Sequence, residues 1–164
     1  MAYGDGMIGF KANTTDSVPT QPLGKVVALS DGGCAFYVGV ASNVTANMAC
    51  IMNATGYIQP ITTTLATELS GNSGDRFVVA AATLTTAQYG YAYGEGPNLT
   101  ITCAASVAAD SQLYTTVTPG TIDDASAGVK LPGVVCSNGT GAAAAGNYTC
   151  RVWNPVIAQA TALA

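Results

Sequence analysis

The sequence predicts an all-β fold, a small β-barrel or β-sandwich carrying an extended N-terminal arm. Three observations lead there. No stretch of 11–18 residues sustains an apolar period of 3.6 with the capping residues and helix-forming charges of an amphipathic helix. Short runs rich in β-branched and aromatic residues recur instead, separated by Gly, Asn, Asp and Pro at the spacing of a sandwich or barrel. The 164 residues are of single-domain size. A chain this long buries roughly 70% of its unfolded surface, enough for an ordinary core without metal or disulfide staples.

Residues 1–22, MAYGDGMIGFKANTTDSVPTQP, hold isolated aromatics, several Gly and two Pro but no alternating run. They read as an arm that orders on a neighbouring subunit, with Tyr3, Met7, Ile8 and Phe10 as anchors. The β domain occupies 23–155, and 156–164 form a tail with little intrinsic structure. Strands are predicted at Lys25–Leu29, Ala35–Val40, Met48–Met52, Arg76–Ala81, Tyr89–Tyr93, Leu99–Cys103, Gln112–Val117, Val129–Val135 and Tyr148–Trp153. Between the first two, Asp31-Gly32 supplies the positive φ angles of a tight hairpin turn. The small-residue stretch Ser137–Asn147 reads as a flexible surface loop.

Tyr89, Tyr91 and Tyr93 alternate with Gly90, Ala92 and Gly94, which puts three phenols on one strand face and almost nothing on the other. Such a row fills a core or subunit interface, or stacks on a host glycan. The bare face invites close approach of another sheet or backbone.

Cys34, Cys50, Cys103, Cys136 and Cys150 are odd in number and contain no C-x-x-C, which rules out a zinc ribbon. Their apolar neighbours fit free thiols acting as small buried hydrophobes. The alternative is a bridge between Cys136 and Cys150, whose flanking runs read as adjacent antiparallel strands.

Charge narrows the function. Five Lys/Arg and nine Asp/Glu give a net charge of −4. No basic stripe is available to neutralise phosphates, so nucleic acid is not an expected ligand. With His absent, Ser-His and Cys-His nucleophile pairs and His-bearing zinc sites are excluded. Gly94-x-Gly96 lacks the setting of a phosphate loop, and no G-x-x-x-x-G-K-[ST] occurs. Asp123-Asp124 with Asp110 lacks EF-hand spacing and reads as turn chemistry rather than a calcium site. Glu68 and Glu95 cannot be placed beside an Asp as a glycosidase pair. No enzymatic activity, cofactor or metal is expected. The first residues, broken by Asp5, Lys11 and Asp16, show no secretory signal, and the uncharged stretch 32–67 is too polar for a membrane span. The Asn-x-Thr sequons at Asn13, Asn43, Asn53, Asn98, Asn138 and Asn147 therefore read as Asn/Thr-rich turns and strands.

The order of several segments resembles the head-decoration, or capsid-cement, proteins of tailed bacteriophages. Leu23-Gly24-Lys25-Val26-Val27-Ala28, Asp31-Gly32 and Ala35-Phe36-Tyr37-Val38 look like that group's opening hairpin. Arg76–Ala81, then Tyr89-Gly90-Tyr91-Ala92, follow in the group's order, with Tyr91 where a Trp is usual. Leu113-Tyr114-Thr115-Thr116, Pro119-Gly120 and Ile122-Asp123-Asp124 are similar to its turn motif, and Arg151-Val152-Trp153-Asn154-Pro155 to its last strand. The resemblance implies a small, β-tulip-like barrel or sandwich, a homotrimer made in the host cytoplasm that binds the major capsid protein on the capsid exterior. It implies no chemical step. The interface candidates are Tyr3, Ile8, Phe10, Tyr89, Tyr91, Tyr93 and Trp153. The competing expectation is a carbohydrate-binding or adhesive module of a head fibre or tail, with the tyrosine row facing solvent.

Overall fold

A computed structural model describes residues 11–69, 75–138 and 145–155. In chain order its elements are β1 (Val26–Ala28), β2 (Cys34–Val40), β3 (Ala49–Met52), β4 (Tyr57–Pro60), α1 (Thr63–Leu69), β5 (Arg76–Ala80), β6 (Tyr89–Cys103), β7 (Gln112–Thr115), β8 (Ile122–Asp123), β9 (Lys130–Cys136) and β10 (Gly146–Val152). The protein is nearly all β, and its strands join in one large sheet.

β6 organises that sheet. Its first half pairs antiparallel with β2 at Tyr37↔Tyr91 and with β5 at Ala80↔Ala92. Its second half pairs with β10 at Ile101↔Tyr148 and touches β8 at Cys103↔Ile122. β4 and β3 connect β2 to β5, while β9 and β7 connect β10 to β8. The pairings thus return twice to β6, giving two rings of strands with one strand in common. Each ring includes a short junction, two residue pairs between β2 and β4 and one between β6 and β8, so neither is a regular barrel.

The sequence predicts two strands where the structure has this single one of 15 residues. The pairing explains why Gly94-Glu95-Gly96-Pro97-Asn98 does not break it. The register slips between Cys34 and Ala35, which oppose Glu95 and Tyr93, and again between Cys150 and Val152, which oppose Leu99 and Gly96. Such bulges bend a strand without ending it, and they accept Gly and Pro. The apparent turn residues mark the bend at which β6 leaves one ring for the other.

The β1–β2 hairpin forms where Asp31-Gly32 predicts it, with Val26↔Phe36 and Ala28↔Cys34 in register. The Gly32 N–H donates to the Leu29 carbonyl at 3.1 Å, the Leu29 N–H donates to the Gly33 carbonyl at 2.9 Å, and Gly32 has φ 86°. This is a three-residue connection with a left-handed glycine. The other predicted strands differ from the observed ones by a residue or two at their ends. β4, β8 and α1 are not predicted. The helix is only seven residues long, below the reach of periodicity, but Thr62 Oγ1 caps it by accepting the Leu65 N–H at 3.1 Å.

Three apolar clusters hold the elements together. One fills the first ring with Val38, Ile58, Val78 and Ala92. A second joins the outer face of β3 and β5 (Ile51, Phe77, Val79) to Ala66 of α1 and to the interior of the second ring, including Leu99, Ile101, Leu113 and Leu131. The third surrounds Tyr37 and Tyr91 and is covered by Ala12, Leu23 and Val27.

That covering sets the described half of the arm against the chain's own domain. Residues 11–22 lie on the chain's own sheet: the Asp16 N–H donates to the Tyr89 carbonyl at 2.8 Å, and the Tyr89 N–H donates back to the Asp16 carbonyl at 2.9 Å. The aromatic face of β2 and β6 offers apolar area that an adjacent polar segment can cap. The remainder of the proposed arm, with Tyr3, Ile8 and Phe10, lies outside the described residues, as do the tail 156–164 and the loop centre 139–144.

Candidate functional site

The tyrosine row is the first candidate surface, and the strap of residues 11–29 closes it. Tyr91 is 5% exposed and packs edge-on against Tyr37, their ring centroids 5.2 Å apart at 68°. Tyr89 and Tyr93 are half-buried in the same cluster. The Asp16 carboxylate accepts a hydrogen bond from the Tyr37 hydroxyl at 2.7 Å and another from Thr20 Oγ1 at 2.8 Å, so the strap is latched to the row. Burial, followed by the nearby Tyr37 and Asp16, pushes the Tyr91 phenol up from its ordinary value. The hydrogen bond with Tyr57 is the main cause of a similar rise at Tyr89. A sugar cannot stack on Tyr91 without displacing the strap.

The opposite face is closely packed, as its small residues predict. A Cβ at Gly94 would stand 2.3 Å from Cε2 of Phe36, and one at Gly90 would stand 3.1 Å from the Leu84 side chain.

The surface missed by sequence reasoning lies at the far end of the first ring. A groove of about 340 Å³ opens between Val26, Phe36, Arg76, Glu95 and the Asn154-Pro155 segment. Arg76 extends its guanidinium over the Phe36 ring, 5.5 Å from the centroid, an arrangement worth about 0.5–1 kcal/mol at an exposed site. Glu95 anchors the rim by accepting the Asn154 N–H at 3.2 Å. Val26 is 57% exposed at the groove, and Trp153, the most exposed interface candidate among the described residues, is 55% exposed and precedes Asn154, which lines the groove. The sequence offered one signal, the alternation that sends Val27 inward onto the tyrosine cluster and Val26 outward.

A bulge in β9 sets the position of Trp153. Gln112 opposes Val135 and Tyr114 opposes Lys130, so four residues of β9, Leu131 to Val134, oppose Leu113 alone. Gly133 has φ 83°, and its carbonyl accepts the Trp153 N–H at 2.8 Å. The Gln112 amide satisfies the carbonyls that the bulge strands, donating to Leu131 at 2.7 Å and Val134 at 3.2 Å.

The acidic candidates serve turns. Asp124 Oδ2 accepts the Ala108 N–H at 2.9 Å, and Asp123 Oδ1 accepts the Asp124 N–H at 2.8 Å. Among the described residues no three His, Cys, Asp or Glu side chains are grouped to hold a metal ion. Three of the sequon asparagines behave likewise: Asn43 accepts the Thr86 N–H at 2.8 Å, Asn53 the Tyr57 N–H at 3.0 Å and Asn138 the Thr149 N–H at 2.7 Å. No helix among the described residues is long and apolar enough to cross a membrane. No protein-family profile, curated protein or solved structure matches the chain.

Proposed function

We propose that the chain is a structural virion protein that binds the outside of a bacteriophage capsid, bridges capsomers and stabilises the shell. One observation carries the reading. The segments that resemble the decoration group fall on strands that pair with one another: the opening hairpin is β1–β2, and β2 pairs with β6, as does β5. The later segments lie on β7, β8 and β10, which ring the other end of β6. The segments on which the resemblance rests thus belong to one connected sheet. The surface supports it as well, since exposed Val26 lines a groove whose charges are Arg76 and Glu95, and Trp153 is exposed on the segment that leads into it. An apolar centre with a polar rim is the usual anatomy of a docking face.

The role is mechanical. A symmetric trimer that touches several capsid subunits at once gains strength through multivalency. Because it binds the assembled shell and not its separated subunits, it raises shell stability by linkage. Co-sedimentation tests this reading: the protein is expected to pellet with assembled particles in stoichiometric amount, and to be a trimer by light scattering. A monodisperse monomer that does not bind particles would contradict it.

A further inference from the structure

The β9–β10 pairing places Cys136 directly opposite Cys150. The backbone of Cys136 faces the other way, its N–H donating to the Ser111 carbonyl at 3.1 Å and its carbonyl accepting the Asp110 N–H at 2.7 Å. The hydrogen-bonded rung beside it is Ser137 N–H to the Thr149 carbonyl at 2.8 Å. Cys136 and Cys150 therefore occupy a non-hydrogen-bonded site of the antiparallel ladder, where Cα atoms approach to about 4.5 Å and side chains stand close together. A disulfide spans Cα separations of about 4.4–6.8 Å. Both thiols are buried, and both belong to the interior of the second ring.

A third thiol competes. Cys150 lies within hydrogen-bond reach of Cys103 as well as Cys136. On the β6–β10 ladder, however, Cys103 faces Gly146 while Cys150 faces Leu99, so the two backbones are offset. Joining them would require the strands to slide.

We propose that Cys136 and Cys150 are a latent cross-strand disulfide site that an oxidant closes, tying β9 to β10 at the loop end of their ladder, with Cys103 left as a thiol. With a small-molecule disulfide such as glutathione disulfide, one cysteine thiolate attacks a sulfur and expels a glutathione thiolate, giving a mixed disulfide. The second cysteine then attacks the protein sulfur of that intermediate and expels the other glutathione. Two protein thiols lose two electrons and two protons, and the oxidant becomes two thiols. In the folded core the Cys150 thiol is held protonated by its Cys103 neighbour and by burial. The exchange therefore proceeds while the hairpin is open, during folding or local opening.

The test refolds the full chain in a buffer of reduced and oxidised glutathione, blocks remaining thiols by alkylation in denaturant, and maps unreduced peptides by mass spectrometry. The expected product is one cross-linked species, lighter by two hydrogens, that joins the Cys136 and Cys150 peptides, with Cys34, Cys50 and Cys103 alkylated. Cys103→Ala should leave that bridge intact, whereas Cys136→Ala should abolish it. Recovery of Cys136 and Cys150 as alkylated thiols would overturn the proposal. So would a predominant Cys103–Cys150 bridge.

Discussion

The Tyr37 hydroxyl donates to the Asp16 carboxylate across 21 residues of sequence, at 2.7 Å, and this bond fastens the strap to the tyrosine face. Tyr37 is fully buried, and its oxygen also accepts the Thr20 N–H at 3.1 Å. Removing Asp16 leaves a buried hydroxyl short of an acceptor, which costs about 1–3 kcal/mol. Asp16→Ala and Tyr37→Phe should each destabilise the fold in urea titrations. The double variant should lose clearly less than the sum, because both remove the same bond.

Two glycines separate steric need from mere composition. A Cβ at Gly128 would stand 1.8 Å from the Thr115 carbonyl oxygen, in a place where Val129 and Thr115 exchange hydrogen bonds at 2.9 Å. Gly128→Ala should therefore cost about 1–3 kcal/mol or more, since backbone must move. Gly146 has nothing within 4 Å of the added atom and no left-handed φ. Gly146→Ala should stay within about 0.5 kcal/mol of the parent in the same titration.

Alkaline pH should unfold the protein more readily than its charge count suggests. Burial pushes the Cys50 thiol from 9.0 up to about 12. The folded state thus keeps a proton that the unfolded chain releases. This contribution to stability is complete below about pH 9 and declines as pH rises towards 12, a loss of about 4 kcal/mol over the whole range. Tyr91, also raised by burial, steepens the decline at the upper end. With reductant present, unfolding free energy measured from pH 8 to 11 should fall. In Cys50→Ala, which lowers the starting value by leaving a small cavity, the slope against pH should be shallower.

The all-β class and most strands were legible because alternation and Asp31-Gly32 are local signals. What escaped was decided by pairing. Gly94–Asn98 has the composition of a turn, yet β6 bulges there against both neighbours, β2 and β10, and continues through. β4 ends in Pro60 and gains its place between β2 and β3 only after the chain has folded. The tyrosine row showed its period of two in the sequence. Its burial depended in part on residues 11–22, which have no alternation to announce that they lie against it. The groove joins Val26, Arg76, Glu95 and Pro155, positions far apart in sequence that only the topology unites.

If the groove face docks to a shell, Trp153→Ala and Arg76→Ala should weaken particle binding severalfold while shifting Tm little. Trp153 is 55% exposed, and Arg76 is exposed with its contact made to the Phe36 ring. Tyr91→Ala should instead lower Tm, because it empties a buried site. Binding isotherms on particles, read beside thermal melts, separate the two effects.

The most direct test of the stabilising role is to heat particles stripped of the protein and particles restored to full occupancy, and to follow genome release. The account predicts release at a higher temperature from the restored particles, with the difference growing as occupancy rises. Equal release temperatures at full occupancy would contradict it.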